Sequence, residues 1–245
     1  MFTEVLHLLS AENIPFAISG AFALQRHTGI WRDTKDLDVF LTDDQVDKAF
    51  AALREHNFET EICDPVWLCK VHRGPYFVDL ITGMSNGTLC VQPDWIERAS
   101  LAEYFGIKVK VLAPEELIAS KLFVTRRERF DGADIVHVIY GTQGKMDWER
   151  VLQLIGEHWM VLLWVLMLYQ YCYPAQSHYV PRELWADLLS RLNNELDNPD
   201  ARASFKGSLI DEKMFAIDVV EWGMADLNTQ FRSEKITPLR KLKAI

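Results

Sequence analysis

Asp36 and Asp38 stand two residues apart in the run Asp36-Leu37-Asp38-Val39-Phe40-Leu41, where a buried strand should carry no charge. Residues two apart in a strand point the same way, with Cα atoms roughly 6.6 Å apart, so the two carboxylates converge. Like charges so placed raise each other's pKa unless a cation lies between them. Oxygen donors select Mg²⁺ or Mn²⁺ over softer metals, and Mg²⁺ usually shares one or two carboxylates with a substrate phosphate. A third carboxylate, Asp79, lies in the apolar pattern Phe77-Val78-Asp79-Leu80-Ile81 and joins the pair if the two strands are neighbours. Upstream, Ser19 and Gly20 sit between a short apolar strand at 16–19 and the helix-compatible run 21–27. A small hydroxyl and bare amides at a helix start suit an anion. Three acids beside a phosphate cradle point to metal-assisted phosphoryl chemistry.

The elements that must hold these groups follow from pattern. Thr3 can cap a first helix with Val5, Leu6 and Leu9 on one face, ending before Pro15. Residues 27–35 form a polar loop turning at Gly29; Asp43 and Asp44 open a helix with Val46, Ala49, Phe50 and Leu53 at helical spacing. Short strands at 58–62, 66–71 and 76–81, broken at Asp64-Pro65 and Arg73-Gly74-Pro75, deliver Asp79 to the sheet. Residues 95–105 read as a helix and 107–112 as a half-exposed strand. Pro114 and two early glutamates open a further helix, which also carries Arg126, Arg127 and Arg129. Lys121 falls on or beside its buried face, set by Leu117, Ile118 and Leu122, as a snorkelling lysine or a phosphate contact. Asp131 reads as the cap of the next helix.

The ordered set Ser19-Gly20, Arg32-x-Thr34-x-Asp36-x-Asp38 and Asp79 resembles the active-site pattern of the DNA polymerase β-like nucleotidyltransferase superfamily, especially its small bacterial minimal, antibiotic-modifying and toxin-like members. The resemblance implies a mixed sheet flanked by helices, an α+β catalytic domain over 1–140. It implies that Asp36, Asp38 and Asp79 bind Mg²⁺ or Mn²⁺, and that Ser19, Gly20, Arg32 and Thr34 hold the nucleotide. Residues 114–122 resemble the helix whose lysine reaches the triphosphate, which assigns Lys121 to that role. Arg32 reads equally as a partner for Asp33 or Asp36. Serine at position 19 departs from the usual glycine.

Beyond the turn at 141–144 strand signals stop, and an all-helical domain over 145–245 is expected, rich in Trp, Leu and Val over 147–173, with a last helix over 210–227 and a peripheral tail from Arg232 holding five basic residues. This half resembles C-terminal extensions of uncharacterised bacterial nucleotidyltransferases. Such extensions shape acceptor sites in the superfamily, which makes Glu157, His158, Trp159 and Trp222 candidate lining residues.

With 245 residues the chain can build one large or two modest cores, and its net charge of −9 argues against a general nucleic-acid coat. Cys63, Cys69, Cys90 and Cys172 lack zinc spacing and read as reduced thiols. The N-terminus lacks the basic residues and long apolar core of a signal peptide, and the apolar run at 159–169 is too short to span a bilayer, so a cytoplasmic enzyme without a membrane partner is expected. The expected partners are an NTP and a hydroxyl-bearing acceptor, a cationic small molecule ahead of tRNA or protein. Nucleic acid enters only as acceptor. A toxin-like enzyme predicts a basic stripe from Arg126, Arg127, Arg129 and the tail. A nucleotide-binding regulatory module without turnover and a structural cation site are the rivals from other classes.

Overall fold

The computed structural model describes the backbone of residues 1–240 and the side chains of 1–235. It divides into two compact units, Met1–Ala113 with the chain from Gln230, and Pro114–Thr229.

The first unit is a seven-stranded mixed sheet with helices α1 (Phe2–Ala11), α2 (Gly20–Thr28), α3 (Val46–Glu55) and α4 (Pro93–Arg98). Its strands are β1 (Ala17–Ile18), β2 (Asp36–Phe40), β3 (Glu59–Asp64), β4 (Leu68–Arg73), β5 (Tyr76–Ile81), β6 (Ser100–Tyr104) and β7 (Ile107–Val111). They are ordered β3-β4-β5-β2-β1-β7-β6, with β2 parallel to β5, β1 parallel to β7 and the other pairs antiparallel. The period-two alternation gives the sheet two unlike faces. Leu37, Val39, Cys69, Val71, Val78 and Leu80 have no solvent exposure at all. The residues between them, Asp36, Asp38, Lys70, His72, Phe77 and Asp79, are partly exposed and share the other face by register.

Several expectations are corrected. Residues 95–105 are not one helix: α4 ends at Arg98, Ala99 turns extended at φ −61°, ψ 138°, and Ser100–Tyr104 forms the edge strand β6 against β7. Leu101, 63 % exposed on that edge, shows why the run lacked a strand's clean alternation. Thr3 lies within α1, whose cap position is Met1. Arg232, the first residue of the expected peripheral tail, is anchored: it donates from Nη2 to both carboxylate oxygens of Asp64, at 3.2 and 3.0 Å, and from Nη1 to the Ser85 carbonyl, while residues 233–235 are exposed. The last five residues, with the basic Lys241 and Lys243, lie outside the described residues.

The second unit begins with α5 (Pro114–Lys121), followed by the hairpin β8 (Thr125–Arg126) and β9 (Arg129–Phe130), then α6 (Gly132–Gly141), α7 (Trp148–Ile155), α8 (Trp159–Cys172) and α9 (Arg182–Asp197). Short helices α10 (Gly207–Ile210) and α11 (Ala216–Val220) lead to α12 (Leu227–Arg240). Arg126, Arg127 and Arg129 therefore lie on a hairpin and not on the α5 helix. The expected single helix over 210–227 is broken because Asp211 turns its carboxylate back onto the backbone N–H groups of Lys213 and Met214, at 2.9 and 3.0 Å. The turn at 141–144 joins α6 to α7 inside this unit, since α5 packs against both. By length and composition Trp148–Cys172 is apolar enough to cross a membrane. Gly156, at φ 51°, breaks it, and α8 alone, 14 residues, is about 21 Å long against a hydrocarbon core of about 30 Å.

Candidate active site

Strand register does what the sequence could only suggest. Asp38 pairs directly with Asp79 across β2 and β5, and Asp36 pairs with Phe77 one step along the same face. Asp79 in turn faces Lys70 across β4, and Lys70 faces Glu61 across β3, so Asp38, Asp79, Lys70 and Glu61 form one row across the sheet. A second row runs Asp36, Phe77, His72, Glu59.

Each acid has its own support. Asp38 lies against α2: a Cβ built on Gly20, which has φ +57°, would stand 1.8 Å from Asp38 Oδ2. Only glycine permits both the positive φ and that approach. The carboxylate thus sits at the N-terminus of a nine-residue helix, where the dipole favours negative charge. Gly20 was expected to cradle phosphate; its missing side chain first of all makes room for Asp38. Ser19, 1 % exposed, fixes the junction by donating its N–H to the Asp38 carbonyl at 2.9 Å. Thr34 hydrogen-bonds Asp36, its hydroxyl donating to Oδ1 and, at 3.1 Å, to the Asp36 carbonyl. Arg32 is exposed on the loop that carries Thr34, and His27 ties the end of α2 to the sheet, with Nε2 2.8 Å from the Leu112 carbonyl.

Asp79 is held by Lys70, whose Nζ lies 2.5 Å from Oδ1 and 4.0 Å from the centroid of the Phe77 ring. Burial pushes the Asp79 carboxyl above its ordinary value; Lys70 pulls it down, but Asp36 adds to the rise. Lys70 was missed at the sequence level, though the signal was present. The two-residue turn Gly74-Pro75 pairs Arg73 with Tyr76, and counting back three on each strand brings Lys70 opposite Asp79.

Among the described residues, no three His, Cys, Asp or Glu side chains form a ready metal cage. The donor set fits Mg²⁺ or Mn²⁺ nonetheless, because these ions take oxygen ligands, few of them from protein, with the remainder from water and substrate phosphate. Asp36 and Asp38 on one face, with Asp79 adjacent, supply hard oxygens in the number such a shared site uses.

Lys121, in the second unit, is 8 % exposed. Its ammonium lies 2.7 Å from Asp131 and 2.8 Å from Asp134, and Arg129 also binds Asp131, at 3.0 and 3.1 Å. The Asp131 side chain is therefore an ion-pair hub rather than the helix cap expected of it. Arg126 pairs with Glu212 at 3.3 Å. Of the other candidates, Glu157 pairs with Lys206 at 2.8 Å, His158 stands edge-on to Phe123, Trp159 is buried and Trp222 is exposed.

Residues 1–158 match the family described as "Nucleotidyl transferase of unknown function (DUF2204)". None of the curated proteins matches. Among solved structures, the antibiotic-resistance factor ANT(2'')-Ia is 14 % identical over 73 % of this chain and 94 % of its own, with a TM-score of 0.42. The lincosamide antibiotic adenylyltransferase LnuA, in its lincomycin-bound form, is 16 % identical over 56 % and 93 %, at 0.40. An antigenic nucleotidyltransferase-like protein from Paracoccidioides brasiliensis is 18 % identical over 70 % and 87 %, at 0.45. At these scores none of the three bears on what this chain acts upon.

Proposed function

The chain belongs to the nucleotidyl transferase family matched by residues 1–158, and we propose that it moves a nucleoside monophosphate from an NTP to a hydroxyl of a small acceptor, releasing pyrophosphate. The acceptor oxygen bonds to the α-phosphorus as the bond to the bridging oxygen of the β-phosphate breaks, and the electron pair leaves with pyrophosphate. The supporting observation is the register that sets Asp38 beside Asp79, with Asp36 on the same face.

In this reading Asp36, Asp38 and Asp79 hold Mg²⁺ or Mn²⁺. Bound there, a divalent ion neutralises phosphate charge and aligns the attacking and leaving oxygens. Asp79 Oδ accepts the acceptor's proton, a task suited to a carboxyl raised by burial. Ser19 and Gly20 offer the phosphates the N-terminus of α2, Thr34 keeps Asp36 in place, and Arg32 meets the departing charge. The likeness of residues 114–122 to the lysine-bearing helix of the resemblance assigns Lys121 to the triphosphate. In this reading the catalytic residues lie within 1–140. The reaction draws on cytoplasmic NTP.

A cationic, hydroxylated small molecule is the favoured acceptor. The net charge is −9, and Glu59 and Glu61 extend the acidic face past Asp79. The basic stripe that a tRNA-modifying enzyme would present is weakened by ion pairs, because Arg126, Arg129 and Arg232 each face a carboxylate.

The test is incubation with each α-labelled NTP and Mg²⁺ against hydroxylated antibiotics, tRNA and protein extract, following pyrophosphate release and labelled product. Asp38→Asn is expected to lose on the order of a thousandfold in rate while staying folded. Full activity in that variant refutes the assignment. Nucleotide binding by the unaltered chain without release, across every acceptor, establishes a regulatory module instead.

A further inference from the structure

Within the polar sheet face, Lys70 is the one cation in the row Asp38, Asp79, Lys70, Glu61. Its Nζ touches Asp79 Oδ1 at 2.5 Å, both side chains are largely sheltered at 23 % and 14 % exposure, and the Phe77 ring lies under the ammonium. Asp79 thus already has a positive partner. On the far side Lys70 faces Glu61, 64 % exposed, whose Oε2 lies 3.6 Å from His72 Nε2 and which offers a second carboxylate one strand away.

We propose that Lys70 is a built-in counter-ion that competes with divalent cations for Asp79, yielding the carboxylate by moving to Glu61, and so sets how much free Mg²⁺ or Mn²⁺ the site needs. The inference rests on the reading of Asp79 as a metal ligand. Without a cation, Asp36, Asp38 and Asp79 repel one another, and Lys70 offsets part of that cost. A divalent ion gains Asp79 only by displacing the ammonium, so the lysine lowers apparent metal affinity by the difference between the two arrangements. Glu61 makes displacement easier, because the released ammonium keeps a carboxylate partner.

The experiment is titration of the full chain with Mn²⁺ in the absence of nucleotide, reading free Mn²⁺ by electron paramagnetic resonance and bound Mn²⁺ by calorimetry. Lys70→Met is expected to bind Mn²⁺ about tenfold more tightly than the unaltered chain, and Lys70→Arg to stay close to it. Glu61→Gln, an exposed change that leaves Asp79 and Lys70 in place, is expected to bind roughly threefold more weakly. Unchanged affinity in Lys70→Met, or in Glu61→Gln should the methionine variant not fold, overturns the counter-ion role alone. An unaltered chain that binds no Mn²⁺, or whose binding survives Asp38→Asn, overturns the metal-site reading together with it.

Discussion

Two of the lysine–carboxylate contacts are of similar length in opposite surroundings. Lys70 meets Asp79 at 2.5 Å on a partly exposed sheet face, and Lys121 meets Asp131 at 2.7 Å in a buried cluster. At the first, one lysine faces Asp79 with Asp38 and Asp36 alongside, and the Asp79 pKa rises. At the second, burial alone would raise Asp131, but Arg129 and Lys121 outweigh it and the pKa falls. Asp131 and Asp134 are matched by two cations, Lys121 and Arg129. A closed, balanced cluster is what stability requires of buried charge. The Asp79 contact is the more open of the two, and there burial and the neighbouring Asp36 outweigh Lys70.

The sharpest test of this contrast is Lys121→Met. It leaves Asp131 and Asp134 with one cation between them in a buried place, and is expected to cost about 3–5 kcal/mol in urea-induced unfolding. A raised KM for NTP, measured at low temperature where the variant remains folded, reads the proposed phosphate contact separately. Next in size is Gly20→Ala. The added Cβ must push Asp38 aside and bear a positive φ, at an expected cost of about 2 kcal/mol, with transferase activity falling further than stability does. Unchanged activity in that variant would mean the approach of Asp38 to α2 is not needed. The smallest effect concerns pH. The depressed Asp131 pKa contributes stability that is present above the ordinary value of 3.8 and is lost as pH falls through the folded value. The deficit of Asp131→Asn relative to the unaltered chain should therefore shrink in thermal unfolding as pH drops below 3.8. Asp79 has the opposite sign: its folded pKa is raised, so the unaltered chain should gain stability relative to Asp79→Asn as pH falls through the folded value towards 3.8.

The two regions also differ in how far they could be read in advance. The acids of the first unit stood out because charge interrupts apolar strands, and every strand of that sheet except β6 was expected within a few residues of where it lies. Lys70 was passed over as one more polar residue in a strand, although the Gly74-Pro75 turn fixes its register against Asp79. In the second unit Lys121 was found by its helical position, but its partners were not. Asp131 looked like a cap because it precedes a helix; nothing local says that a side chain ten residues earlier in the chain claims it. Residues 100–104 were misread for a related reason, since an edge strand exposes both faces and loses its alternating signature.

By itself the sequence determined which residues could do chemistry, because aspartates at period two in an apolar strand, and a glycine before a helix, are constraints on local geometry. Which charges meet was decided only in three dimensions. Strand order and register placed Asp79 between Asp38 and Lys70, and helix packing enclosed Lys121 with Asp131 and Asp134. The physical reason is range: backbone propensity acts over a few residues, whereas the energy of a charge depends on every group brought within a few ångströms of it, however distant in the chain.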